Sequence, residues 1–152
     1  NRSKNGMPMV LVMCDLDHFK AVNDTYGHVF GDRVIAHFAG TLGRSTASHH
    51  IAGRIGGEEF AVILPGSNLA AGRLFAETVR TAFSEARMEE LAPGERLTAS
   101  FGVAEMASGE TVTSLMARAD AALYEAKRAG RDCVRASTGL TIIGNGASAS
   151  GR

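Results

Sequence analysis

The stretch MVLVMCDLDHFK, residues 9–20, carries the strongest structural signal in this 152-residue chain. Six consecutive apolar residues end at Asp15-Leu16-Asp17. A short apolar run bounded by polar residues is typical of a strand that is buried on both faces of a sheet. Helical spacing begins near Asp17, so the stretch predicts a central strand that is followed at once by a helix.

On the C-terminal side of this strand, the sequence alternates helix and strand signals. A glycine turn, Gly56-Gly57-Glu58-Glu59, separates two short apolar strands and predicts a hairpin. Asn68 is placed to cap a helix, and Gly130 is placed to end another. The predicted elements are a short helix punctuated by Asn23 and Gly27, a longer helix carrying Val34 to Leu42, strands at 51–55 and 60–64, a helix after residue 68, a strand at 98–104, a helix around 115–126 and an edge strand at 133–135.

This order has the logic of a split βαβ unit. The first strand crosses over through helices to the second, and the hairpin folds the third strand back between them. The third strand is then antiparallel to the first and beside it. We therefore expect Asp15, at the end of the first strand, to meet Glu58 in the hairpin turn.

Two carboxylates at this sheet edge need a compensating cation, because their repulsion costs about 4 kcal/mol at a separation of ~4 Å and an effective dielectric constant of ~20. Lys20 and Arg54 are candidate partners in the sequence. A hard divalent cation also suits oxygen ligands, and Mg²⁺ commonly uses one or two carboxylates together with substrate phosphates. An ion pair or a solvated turn is the alternative explanation.

Other residues near these carboxylates suit a nucleotide. The glycine pair leaves room for a phosphorylated ligand, and the 15–20 segment places a helix N-terminus with free amides alongside. A carboxylate can accept both N–H donors of the guanine edge, so Asp32 with the amide of Asn23 can select guanine. Both are also ordinary turn or helix-start residues, which leaves that alternative open.

Composition excludes several classes of protein. Lys and Arg number 16, as do Asp and Glu, so there is no net charge with which to hold nucleic acid on a broad basic face. No apolar run approaches the roughly 20 residues of a membrane helix. Cys14 and Cys133 lie in apolar segments without other ligands at metal-binding spacing, which predicts reduced core residues of a cytoplasmic protein.

Four segments, in order, resemble the GGDEF family of diguanylate cyclases, and the resemblance covers almost all of residues 9–135. They are DLDHFKAVNDTYGHVFGD (15–32), RIGGEEF (54–60), LTASFGVA (97–104) and ADAALYEAKRAGRD (119–132). The resemblance implies an α+β, ferredoxin-like or palm nucleotidyl-cyclase fold with a five-stranded, mainly antiparallel sheet flanked by helices. It also implies that two GTP molecules are condensed into cyclic di-GMP and two pyrophosphates between two facing domains of a homodimer.

The resemblance also implies a set of site residues. Glu58 and Lys20 would be catalytic, with Glu58 near the attacking 3′-hydroxyl and Lys20 stabilising the phosphoryl transition state. Mg²⁺, or Mn²⁺ in its place, would be bound by Asp15, the backbone carbonyl of Leu16 and Glu58. The implied substrate-binding residues are Asn23 and Asp32 for guanine, Lys127 and Arg131 for the terminal phosphates, His28 as a further contact and Gly57 for space.

The chain departs from the family pattern in two respects. The RxxD product-inhibition motif of the family would fall on Ala47 and His50, so the primary inhibitory site is expected to be absent. The chain also has only a stub before the first strand, where the family pattern begins with a helix. We therefore expect a catalytic domain at 1–136 without its usual N-terminal helix, a flexible tail or linker at 137–152, and an upstream sensory or dimerising domain outside this chain. The catalytic domain would then be cytoplasmic, even if the larger protein is anchored to a membrane.

Three rival functions fit less well. A GGDEF-like module that binds GTP without turnover usually loses some of the site residues that are intact here. An RNA-binding fold would need paired aromatic residues on central strands, where only Phe60 and Phe101 are available. A palm cyclase that makes a monomeric cyclic nucleotide fits the order of motifs less well.

Overall fold

The computed structural model describes residues 7–139. Most elements fall within one or two residues of their predicted positions. In chain order they are β1 (Met9–Leu16), α1 (Phe19–Tyr26), α2 (His28–Ser45), β2 (Ile51–Arg54), β3 (Glu59–Pro65), α3 (Leu69–Ser84), β4 (Ala99–Glu105), α4 (Val112–Arg128) and β5 (Val134–Ala136).

Five of these elements form one sheet in the order β2-β3-β1-β4-β5. Strand β1 is central and pairs antiparallel with β3 on one side and β4 on the other, while β5 lies parallel to β4. The predicted five-stranded, mainly antiparallel sheet and the insertion of β3 beside β1 are thus confirmed. The register pairs Asp15 with Glu59, which brings the β2–β3 turn to the end of β1.

Alternate residues of β1 pack on opposite faces of the sheet, as the pleat requires. Val10, Val12, Cys14 and Leu16 join the larger core under α2 and α3, whereas Leu11 and Met13 join the smaller core under α4. By this alternation Asp15 faces α4. The α4 side also forms an apolar groove of about 320 Å³ that contains none of the predicted site residues.

Gly102 in β4 controls how closely α4 lies on the sheet. A Cβ atom at this position would meet the backbone oxygen of Ala119 at 2.2 Å and the backbone nitrogen of Leu123 at 2.3 Å. Only glycine therefore permits this approach of helix to strand. Because the C-terminal turn of α4 carries Lys127, the contact also sets the position of that side chain.

The β5 strand continues into the first described residues of the predicted tail. The Ser137 backbone N–H donates to the Val103 carbonyl at 2.7 Å, and the Arg118 guanidinium donates to the Ser137 hydroxyl at 2.8 Å. Residues 140–152 lie outside the described part, so the division at 136 stays a prediction. Between residues 7 and 139, no helix combines the length and apolar character needed to cross a bilayer.

Candidate active site

Asp15 and Glu58 come together at the end of β1, as the topology predicts. The Leu16 backbone N–H donates to the Glu58 carbonyl at 3.2 Å, which fastens the hairpin turn to the strand. Asp15 is only 4% exposed. Partial burial raises the pKa of Glu58, and the neighbouring Asp15 carboxylate raises it further. The site therefore brings two carboxylates together at the edge of the sheet, one buried and one partly exposed.

The cation that compensates this charge is Lys127, from the last turn of α4. Its Nζ lies 2.5 Å from Asp15 Oδ2, and its charge lowers the pKa of Glu58, opposing the effects of burial and of Asp15. The expectation that Lys20 or Arg54 would be the partner was wrong. Residues 15 and 127 are 112 positions apart, and they meet only because α4 packs against β1.

Lys20 instead lies on the outer face of α1. Its ammonium group is 3.1 Å from Asp24 Oδ2, one helical turn away, and its side chain is 90% exposed. It does not contact the carboxylate pair among the described residues. Its expected role in stabilising the transition state stays a prediction. The exposed side chain is long enough to reach a phosphate bound nearby.

Arg54 holds the hairpin turn in shape. Its guanidinium donates to the Gly57 carbonyl at 2.6 Å and to the Gly56 carbonyl at 3.1 Å. A Cβ atom on Gly57 would meet nothing within 4 Å among the described residues, so this side of the turn is open. This open side is consistent with the expected role of Gly57 in leaving space, which stays a prediction.

The proposed guanine-reading residues lie where α1 meets α2. The Asn23 amide packs against Gly31, and its Oδ1 is buried with no hydrogen-bond partner in the described part of the chain. Asp32 follows Gly31 and is exposed within α2, where Gly27 rather than Asp32 is the N-cap. His28, the first residue of α2, is also exposed. The helix-start explanation for Asp32 is therefore wrong. The buried Asn23 acceptor needs a donor that the described residues do not supply.

The loop between α4 and β5 carries Arg131 in an unusual conformation. Arg131 and Asp132 both have left-handed backbones, with φ of 68° and 49°, which costs roughly 1–2 kcal/mol for each residue other than glycine. The Arg131 N–H donates to the Ala126 carbonyl at 3.0 Å, and the Asp132 N–H donates to Asp17 Oδ2 at 3.0 Å. Lys127 and Arg131 thus flank one turn next to the carboxylates.

The sequence predicts no role for Asp17 beyond ending the first strand and starting the helix that follows. The two-residue spacing between Asp15 and Asp17 was the available signal, because residues two apart in an extended chain point to the same face of a sheet. What that carboxylate contacts could not be read from spacing.

The donor set fits a hard divalent cation. Within residues 7–139, no cluster of three or more His, Cys, Asp or Glu side chains is arranged to hold a metal ion. Asp15 and Glu58 supply two carboxylates, and the Leu16 carbonyl follows Asp15 directly in the chain. An ion such as Mg²⁺ that keeps water and phosphate ligands needs no more than this from the protein.

Comparisons with known proteins agree with this site. The family described as "Diguanylate cyclase, GGDEF domain" matches residues 1–133. Diguanylate cyclase VdcA of Vibrio cholerae is 45% identical over 132 residues, which are 85% of this chain and 39% of VdcA. Diguanylate cyclase DgcP of Pseudomonas aeruginosa is 39% identical over 131 residues, which are 86% of this chain and 20% of DgcP.

The fold matches solved structures as well. The GGDEF domain of DgcB from Caulobacter crescentus, in complex with c-di-GMP, superposes with a TM-score of 0.85 at 40% identity, covering 91% of this chain and 82% of that one. An active GGEEF domain of a diguanylate cyclase from Vibrio cholerae superposes with a TM-score of 0.85 at 31% identity, covering 91% and 88%. The chain spans less than two fifths of the length of the two curated relatives above.

Proposed function

Because the chain belongs to the GGDEF family of diguanylate cyclases, we propose that it condenses two GTP molecules into cyclic di-GMP and releases two pyrophosphates. The observation that carries the proposal is the carboxylate pair of Asp15 and Glu58 set against Lys127. Two acids with a single lysine leave a net negative charge, which a bound divalent metal ion would offset. The same reaction is the one for which the family is named.

In each half of the reaction, the 3′-hydroxyl of one GTP attacks the α-phosphorus of the other. A new O–P bond forms, the bond to the bridging oxygen of pyrophosphate breaks, and the hydroxyl proton is lost. Glu58 would accept that proton, a role that its raised pKa supports because a higher pKa makes its carboxylate a stronger base. Bound Mg²⁺ or Mn²⁺, held by Asp15, Glu58 and the Leu16 carbonyl, would supply Lewis-acid stabilisation of the reacting oxygens.

The remaining residues bind and orient GTP. Lys127 and Arg131 meet the terminal phosphates, and Lys20 neutralises charge that develops on the transferring group. Asn23 and Asp32 hold the guanine edge, with His28 as a further contact. Positioning and charge neutralisation account for most of the rate enhancement in phosphoryl transfer, so these residues matter as much as the proton acceptor.

Turnover requires two copies of the domain. One site holds one GTP, and both phosphodiester bonds join nucleotides from different sites. A homodimer with the two sites facing each other satisfies this requirement, and an upstream sensory or dimerising domain would control it. We place the domain in the cytoplasm, where cells maintain GTP.

Incubation of the domain with GTP and Mg²⁺ and chromatography of the products test this function. We expect cyclic di-GMP, at a rate that rises faster than linearly with protein concentration. Glu58→Gln should abolish turnover and leave the melting temperature equal or higher, since it removes repulsion with Asp15. Glu89→Gln, the same change at an exposed position, is the matched control and should keep full activity.

Two results would contradict the proposal. Undiminished product from Glu58→Gln would remove that residue from the reaction. Saturable, Mg²⁺-dependent GTP binding without product, even when two domains are fused to force dimerisation, would favour a GTP-binding module.

A further inference from the structure

The Asp17 carboxylate is buried and joins three parts of the chain. It is 8% exposed and accepts a hydrogen bond from the Thr98 hydroxyl at 2.8 Å, from the Ser100 hydroxyl at 2.7 Å and from the Asp132 backbone N–H at 3.0 Å. Its own backbone N–H donates to the Thr98 carbonyl at 2.9 Å. Asp17 is thus fixed to β4, and through its side chain it holds the loop after α4.

That loop needs to be held from outside. Two successive residues other than glycine, Arg131 and Asp132, adopt the left-handed conformation. Such conformations persist only where the surroundings enforce them. The Asp132 side chain is itself paired with Arg80 at 2.9 Å, so the residue after Arg131 is tied at both its amide and its carboxylate.

We propose that Asp17 is a positioning residue that clamps the α4–β5 loop to the end of β1 and so aims Arg131 at the triphosphate. The proposal rests on the proposed function, in which Arg131 meets the terminal phosphates. With the Lys127 contact to Asp15, it gives the phosphate-binding turn two attachments to the catalytic strand, one at Asp15 and one at Asp17.

The hydrogen bonds of Asp17 separate it from the metal-binding pair. Oδ2 already accepts from Thr98 and Asp132, and Oδ1 accepts from Ser100. A carboxylate that is committed to three donors is a poor ligand for a cation. Substitution of Asp17 should therefore change phosphate binding without changing the demand for Mg²⁺.

The test compares Asp17→Ala with Asp17→Asn and with Thr98→Val in this chain. Asp17→Ala removes the acceptor, whereas an asparagine oxygen can still accept from the Asp132 amide. Thr98→Val removes a donor to the same carboxylate but does not touch the loop, so it is the matched control. Hydrogen exchange of the Asp132 amide, without nucleotide, reports the clamp directly.

Calorimetric binding of GTP and of GMP, in Mg²⁺, reports its consequence. In Asp17→Ala we expect faster exchange of the Asp132 amide and roughly tenfold weaker GTP binding, the scale of one lost hydrogen bond to a charged group. GMP affinity and the Mg²⁺ concentration that half-saturates GTP binding should stay within about twofold of the wild type, because neither depends on Arg131 in this account. Asp17→Asn should be intermediate, and Thr98→Val should behave as the wild type.

Unchanged exchange at Asp132, or equal losses for GTP and GMP, would overturn the proposal and leave Asp17 a purely structural residue. A higher Mg²⁺ requirement would overturn it in favour of a metal-ligand role. The product assay on the wild type tests the proposed function separately. If the wild type binds GTP but forms no product, the proposed function fails, while exchange of the Asp132 amide and GTP binding in the variants still test the role of Asp17.

Discussion

Gly31→Ala should damage guanine recognition while leaving the fold intact. A Cβ atom at residue 31 would lie 1.8 Å from Asn23 Oδ1, 2.9 Å from its Cγ and 3.3 Å from the ring of Phe19. Since contacting heavy atoms sit at about 3.5 Å, the Asn23 amide would have to move by more than about 1 Å. The amide of a proposed base-reading residue would thus leave its position.

The substitution has separate effects on catalysis and on stability. A displacement of ~1 Å at a positioning residue can cost about 100-fold in rate, so we expect kcat/KM for GTP to fall between about 10- and 100-fold. Alanine in a helix interior is favoured over glycine by about 1 kcal/mol, which offsets part of the packing cost. Global stability should therefore change little while binding falls sharply.

The assays are the rate of product formation as a function of GTP concentration, calorimetric titration with GTP and ATP, and thermal unfolding. Gly43→Ala is the matched control, because it makes the same change in the same helix at a position where the new Cβ would meet nothing within 4 Å in the described chain. We expect Gly43→Ala to keep wild-type affinity and to be slightly more stable. Wild-type GTP affinity in Gly31→Ala would refute the assignment of Asn23 to the guanine site.

Three further predictions concern charge. The pKa of Glu110 is lowered to about 2 from 4.5, chiefly by Arg118, so this stabilisation, on the order of 3 kcal/mol, is present above pH ~4.5 and lost as the pH falls towards 2. Arg118→Met should therefore lower the free energy of unfolding in urea much more at pH 7 than at pH 3, and an equal loss at both would contradict the ion-pair account. Lys127→Met should weaken GTP binding and move the acidic limb of the pH–rate profile to higher pH, because Lys127 lowers the pKa of Glu58. An acidic limb at the wild-type pH would contradict this account. Micromolar cyclic di-GMP should leave the initial rate unchanged, because Ala47 and His50 replace the charged residues of the inhibitory motif, and strong inhibition at that concentration would show another product site.

Much of the fold could be predicted because its signals are local. The apolar run before Asp15, the glycine turn before Glu58 and the cap at Asn68 each act within a few residues, and Asn68 accepts from the Ala71 amide at 2.9 Å as a cap should. The split βαβ order then left few topologies, and the observed sheet is the one expected.

The candidate site was predictable in part. Strand pairing places Asp15 and Glu58 together, so their meeting follows from topology. The identity of their cationic partner does not, and the nearby lysine and arginine proved misleading. Lys20 is close in sequence but points along an exposed helix face, and Arg54 is used within its own turn.

Local sequence patterns were sufficient to specify which elements form, that the first strand is central and which kinds of side chain lie at its end. The contacts of Lys127 with Asp15 and of Asp17 with the Asp132 amide follow instead from the packing of distant elements, because they span 112 and 115 positions. Spacing along a chain specifies partners a few residues apart, because helix and strand geometry repeats over that distance. Partners from distant elements depend instead on how closely α4 can approach β4, which the missing side chain of Gly102 permits.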